Sequence, residues 1–301
     1  MSLLKSIILL LLVGITVALP AQLALEFDIN KKPTGSNPFF FVEMNGVIYF
    51  IADDTTFGTE LWEYNINSKV VRRLSDIREG ADGSLGSDEL FAYNGRIYFT
   101  AEQRLHYYDV LSETITRVSQ TAGAKSPSGF LPFNGDIYFA AQSSGNNSRL
   151  YRYLIDEDII ELVVDVNPDI SNDNVSIPFI YDDKLFFTAN DQLNDSQLWT
   201  YDPISDEFER YSDVDGGVSI FGGAFVGSEV YYMGHTPDTG SELFKYNFDT
   251  DEESLVGEVN PGPGSSNPSA IQIYNGQIIF AASNGSFDRE YWKYDLSLIH
   301  I

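Results

Sequence analysis

One turn-and-strand unit is written six times along this chain. It reads Asn45-Gly46-Val47-Ile48-Tyr49-Phe50, Asn94-Gly95-Arg96-Ile97-Tyr98-Phe99 and Asn134-Gly135-Asp136-Ile137-Tyr138-Phe139. It returns as Asp182-Asp183-Lys184-Leu185-Phe186-Phe187, Gly227-Ser228-Glu229-Val230-Tyr231-Tyr232 and Asn275-Gly276-Gln277-Ile278-Ile279-Phe280. The units end at residues 50, 99, 139, 187, 232 and 280, so they are spaced by 49, 40, 48, 45 and 48 residues. An Asn-Gly pair between apolar runs suits a two-residue hairpin whose central residues need positive φ. A period of 40 to 50 residues built from short strands points to an all-β fold, a β-propeller with one blade per repeat.

A second motif keeps the same period. Glu60-Leu61-Trp62-Glu63-Tyr64, Arg104-Leu105-His106-Tyr107-Tyr108 and Arg149-Leu150-Tyr151-Arg152-Tyr153 follow the first three units. Gln197-Leu198-Trp199-Thr200-Tyr201, Glu242-Leu243-Phe244-Lys245-Tyr246 and Glu290-Tyr291-Trp292-Lys293-Tyr294 follow the others. Polar and apolar residues alternate, as in a strand with two different faces. An apolar run precedes each turn, and a further short apolar segment follows in five repeats, beginning near residues 70, 115, 159, 208 and 254. Four strands per repeat make six four-stranded blades. The sixth repeat lacks a clear fourth strand, whereas Leu25-Glu26-Phe27-Asp28-Ile29, ahead of the first, resembles Leu74-Ser75-Asp76-Ile77. We therefore expect the N-terminal strand to close the last blade, which removes two strand edges open to aggregation.

Residues 1–21 read as a signal peptide, with Lys5 as the positive end and an apolar stretch of about 14 residues, short for a span of about 20. Residues 22–295 form one repeat-built domain, with no linker and no membrane span after the leader is cut. The tail Leu296-Ser297-Leu298-Ile299-His300-Ile301 departs from the repeat. It matches one frame of a common sequencing-library adapter, so we expect it to be non-native. Cysteine is absent, so no disulfide framework holds the chain. The formal net charge of −26 argues against nucleic acid or anionic membranes as partners and leaves room for cationic ligands or divalent cations.

Thr56-Phe57-Gly58-Thr59-Glu60-Leu61-Trp62 resembles the GTELW core of the ELWxxDGT repeat, a family found in tandem in bacterial secreted and surface proteins. Glu258-Val259-Asn260-Pro261-Gly262-Pro263-Gly264-Ser265-Ser266-Asn267-Pro268 resembles that family's connector. Asp76-Ile77-Arg78-Glu79-Gly80-Ala81-Asp82-Gly83-Ser84 and Asp165-Val166-Asn167-Pro168 are weaker copies. The likeness spans residues 24–295. Where the DGT half would stand, this chain has Glu63-Tyr64-Asn65 and Thr200-Tyr201-Asp202. The resemblance implies an exported propeller-like protein and carries no catalytic residue across.

Three kinds of candidate site residue remain. Asp28, Asp76, Asp165, Asp213 and Glu258 each end a fourth strand or its equivalent, just before a connector. They are either caps that accept backbone N–H bonds or ligands of calcium, which takes carboxylate and carbonyl oxygens. Asp53, Asp54, Asn146, Asp191 and Asp238 lie in polar loops between second and third strands, which should share one face and present a ligand site over a rigid scaffold. Trp62, Trp199 and Trp292 recur at one blade position and suit packing between blades. His106, His235 and His300 fall into no nucleophile or zinc signature, and the Asp box of sialidases is absent. The reading is an exported extracellular or cell-surface binding module for a protein or glycan, without evident catalysis. A calcium-dependent propeller hydrolase or lactonase and a structural domain of a larger adhesin are the alternatives.

Overall fold

A computed structural model describes residues 28–30, 35–85, 89–120, 123–143, 147–166, 173–176, 179–190, 196–212, 218–250, 252–286 and 288–299. The expected leader over residues 1–21, residues 25–27 of the expected closing strand and the last two residues lie outside them. The described chain is a series of six sheets, each a run of neighbouring antiparallel strands. Sheet one holds β1 (Phe39–Met44), β2 (Val47–Asp53), β3 (Thr59–Asn65) and β4 (Val70–Arg73). Sheet two holds β5 (Phe91–Tyr93), β6 (Arg96–Ala101), β7 (Arg104–Asp109) and β8 (Thr114–Arg117). The two-residue β9 (Ser119–Gln120) then crosses to the edge of sheet three, where it pairs parallel with β13. Sheet three otherwise holds β10 (Lys125–Phe133), β11 (Asp136–Gln142), β12 (Ser148–Leu154) and β13 (Ile159–Val164).

Sheet four holds β14 (Phe179–Tyr181), β15 (Lys184–Asn190), β16 (Ser196–Asp202) and β17 (Glu207–Arg210). Sheet five holds β18 (Val218–Val226), β19 (Glu229–Thr236), β20 (Gly240–Asn247) and β21 (Glu252–Gly257). Sheet six has three strands among the described residues, β22 (Ser269–Tyr274), β23 (Gln277–Ser283) and β24 (Arg289–Asp295), followed by a 3-10 turn over Leu296–Ile299.

The hairpin turns behave as their residues require. Asn45 and Gly46 have φ of 55° and 78°, and the Asn-Gly pairs of sheets two, three and six and Asp182-Asp183 are also positive at both positions. Sheet five differs: only Gly227 is positive, at 60°, which matches a turn with Gly at its first central position. At the end of the third strand a side-chain oxygen holds the next turn. Asn65, Asp109, Asp202 and Asn247 each accept the backbone N–H groups two and three residues on, at 2.8–3.3 Å. Asp295 does the same for Ser297 at 2.9 Å, and Leu296 donates to the Gly276 carbonyl as Val110 donates to that of Gly95. The repeat geometry thus continues through Ser297.

The central strands bury both faces, so they read as continuous apolar runs. Tyr49, Ile51 and Leu61 meet Ile97, Phe99 and Ala101 between sheets one and two. Tyr98 and Leu105 meet Ile137, Phe139 and Tyr151 between sheets two and three. Tyr138 and Leu150 meet Leu185, Phe187 and Tyr201; Phe186 and Leu198 meet Val230, Tyr232 and Phe244; Tyr231 and Leu243 meet Ile278 and Phe280. The third-strand leucines Leu61, Leu105, Leu150, Leu198 and Leu243 are at most 2% exposed, each covered by the next sheet. Sheet six has Tyr291 at that position, 82% exposed. Among the described residues no core cluster joins sheet six to sheet one. The outward face of sheet one carries Phe50, Ala52 and Trp62, and Ile29 packs against them.

Candidate functional site at the connector end of the sheets

Antiparallel order places the β2–β3 type of loop and the connector to the next sheet at the same end of each sheet. In sheets one to five a side chain near the start of the third strand reaches into that connector. Glu60 is fully buried, and both its oxygens accept from the hydroxyl of Ser84 at 2.7 and 2.8 Å. Ser75 donates a second hydroxyl to it. Burial pushes the Glu60 carboxyl above its ordinary range, and the Ser75 and Ser84 hydroxyls pull against that shift by favouring the charged form. Glu242 is also fully buried and accepts from Val259 N at 2.9 Å, Asn260 N at 3.2 Å and the Ser266 hydroxyl at 2.6 Å.

Two glycines per copy make room for this clasp. A Cβ on Gly58 would sit 2.2 Å from the Gly83 nitrogen, and one on Gly240 would sit 2.8 Å from the Gly264 carbonyl carbon. Gly58, Gly83 and Gly240 also hold positive φ, between 65° and 69°. The Gly-x-Glu of the third strand and the Gly-Ser of the connector are therefore two halves of one contact. In sheet four Gln197 replaces the acid and accepts from Ser212 at 3.0 Å. In sheet two Arg104 donates to the Ala124 carbonyl at 3.0 Å. In sheet three the charges are exchanged: Arg149 holds Asp165 at 3.0 Å and Asp173 at 3.1 Å.

The connector acids divide accordingly. Asp76 pairs with Arg73 at 3.3 Å, Asp165 with Arg149, and Glu258 caps the Gly262 N–H at 2.7 Å. Asp28 is exposed, and Asp213 lies outside the described residues. No group of three or more acidic, histidine or cysteine side chains is placed to hold a metal among the described residues. Of the loop residues, Asp53 caps Thr55 N at 2.5 Å, and Asp54 caps Thr56 N at 2.9 Å and Phe57 N at 2.8 Å. Asp238 is exposed in the β19–β20 turn, and Asn146 and Asp191 lie outside the described residues. Glu60 and Glu242 stand on strands, so the acids that precede the connectors do not include them. Their signal was the Gly two residues before each.

The tryptophans pack rather than present a platform. Trp62, Trp199 and Trp292 each donate the indole N–H to the carbonyl of an alanine on the neighbouring strand, Ala52, Ala189 and Ala282, at 3.0, 3.2 and 3.2 Å. They stand opposite Phe50, Phe187 and Phe280 in register. His106 takes the same place opposite Phe99, stacks on it at 5.8 Å, and has its basicity lowered by burial. His235 makes one hydrogen bond, Nδ1 to Ser241 Oγ at 3.1 Å.

No family model and no curated protein matches the chain. Solved structures are similar to it, two of which follow. The extracellular domain of a protein assigned as a one-component system from B. thetaiotaomicron shares 13% identity over 90% of this chain and 34% of its own, with a TM-score of 0.52. TolB from Acinetobacter baumannii shares 12% identity over 74% of this chain and 56% of its own, with a TM-score of 0.43. The chain thus spans between a third and little over half the length of these proteins. The first likeness supports a shared all-β architecture and no more than that.

Proposed function

We propose that the chain is an exported six-bladed β-propeller of the ELWxxDGT-repeat type, acting outside the cell as a binding module through the end where the long loops and connectors lie. The observation that carries the reading is the repeated clasp. Five third strands each hold the following connector by a buried or half-buried side chain, which gives the loop end a rigid footing on a repeating scaffold. Such an end is where fold-borne binding residues tend to stand. Export rests on the leader, and the fold's likeness to an extracellular domain agrees with it.

Ring closure is part of the proposal. Ile29 packs on sheet one as Ile77 packs at the junction of sheets one and two and Val259 at that of sheets five and six. Asp28-Ile29 thus holds a connector's place, and the proposed N-terminal closing strand takes the fourth position, for which sheet six has no strand among the described residues. In that ring Tyr291 is covered by the outward face of sheet one. The substitution Tyr291→Asp then lowers the melting temperature of the mature chain by several degrees, since burying a large side chain is worth about 2–3 kcal/mol. An unchanged melting temperature overturns closure. Binding is tested by screening the mature chain on glycan and extracellular-protein arrays, with Asp238→Ser as the loop-end variant. Loss of a hit with that variant supports the reading, and a hit lost only on changes at the Asn-Gly end of the sheets overturns it.

A further inference from the structure

The clasp of sheet three is chemically incomplete. In sheets one and five each buried glutamate meets hydroxyl or N–H donors on both oxygens. In sheet three, Arg149 satisfies one oxygen of Asp165 and one of Asp173, the Oδ2 atoms, at 3.0 and 3.1 Å. Both Oδ1 atoms are buried and have no hydrogen-bond partner. The Asp173 side chain is wholly buried. The Ser143 hydroxyl, in the loop after β11, is a third buried oxygen without a partner. Asn147 links the backbones of Asp173 and Ser143: it accepts from Asp173 N through Oδ1 at 2.6 Å and from Ser143 N through its carbonyl at 2.9 Å.

Five buried side-chain N or O atoms make no hydrogen bond among the described residues, and three of them are these oxygens at one end of one sheet. A buried carboxylate oxygen without a donor is costly. Two carboxylates held by a single arginine also repel each other. A cation removes both penalties. The donor set is oxygen only, two carboxylates and a hydroxyl, which suits a hard divalent ion. Arg149 counts against tight binding, because its positive charge stays close.

We infer that Asp165, Asp173 and Ser143 form a calcium site at the connector between sheets three and four, held in place by Arg149 and Asn147. The site has two carboxylates and a neighbouring arginine, so its affinity falls with the weaker calcium modules, at a Kd of about 10⁻⁴–10⁻³ M. The ion ties the third sheet's loop to the connector and stiffens the end that carries the proposed binding loops.

The test is thermal melting of the mature chain in EDTA and in calcium chloride up to 10 mM, with terbium luminescence as a direct readout. A rise of a few degrees is expected in calcium, since a ligand at a tenfold to hundredfold excess over Kd stabilises the folded state to that extent. Asp173→Asn abolishes the rise and the luminescence, Ser143→Ala reduces both, and Asp238→Asn leaves both intact. Wild-type protein with one melting temperature in EDTA and in calcium overturns the site. So does a calcium effect that survives Asp173→Asn. If Asp173→Asn does not fold, terbium binding unchanged in Ser143→Ala and in Asp165→Asn overturns it as well.

Discussion

Glu253 offers a sharp test of how sheets four and five pack. The residue opposite the conserved-position tyrosine of the third strand is Val71, Ile115, Ile160 and Phe208 in sheets one to four, and Glu253 in sheet five. Sheet five also carries Tyr232 where the other sheets have phenylalanine, and the Tyr232 hydroxyl donates to the Glu253 carboxylate. Burial pushes the Glu253 carboxyl up to about 7 from an ordinary 4.5. That difference is worth about 3.4 kcal/mol at 1.36 kcal/mol per unit. The group is only partly buried, and the tyrosine favours the charged form, so about 1–2 kcal/mol is the realistic figure. The sign follows from the direction. The folded state binds the proton more tightly, so the stabilisation is complete below about pH 4.5 and is lost as pH rises through about 7. Urea unfolding of wild type and Glu253→Gln between pH 4.5 and 8.5 reads this out. Wild type should lose about 1–2 kcal/mol more than the variant across that range. The double substitution Tyr232→Phe with Glu253→Val, which restores the residues of sheet one, should be more stable than wild type at pH 8. A difference between wild type and Glu253→Gln that does not change with pH refutes the argument.

The connector clasp makes further predictions. Glu242→Ala leaves two N–H groups and a hydroxyl without their acceptor and should cost about 3 kcal/mol in urea unfolding, with Glu242→Gln milder. Gly58→Ala meets a backbone nitrogen at 2.2 Å with φ at +69°, so it should cost at least about 2 kcal/mol. Gly95→Ala shares the positive φ but has open space around it, so it should cost less than Gly58→Ala in the same assay.

The sequence by itself determined the repeat, the strand content and the turns, because these obey local rules. An Asn-Gly pair needs positive φ, and a short apolar run bounded by such turns makes a strand buried on both sides. The five fourth strands lie within two residues of where the apolar segments put them. The fate of the connector acids was half legible. Glu258 caps its loop, as an acid before a glycine-rich turn can, but Asp76 and Asp165 found arginines that stand on strands. Only the tertiary structure decided which carboxylates are buried. Glu60 and Glu242 looked like solvent-facing residues of alternating strands, and the connector folding back from 24 residues later encloses them. The same long-range contact brings Asp173 within reach of Arg149. Burial depends on which distant segment returns to cover a strand end. No periodicity within one repeat records that, although paired glycines on the two segments are its trace.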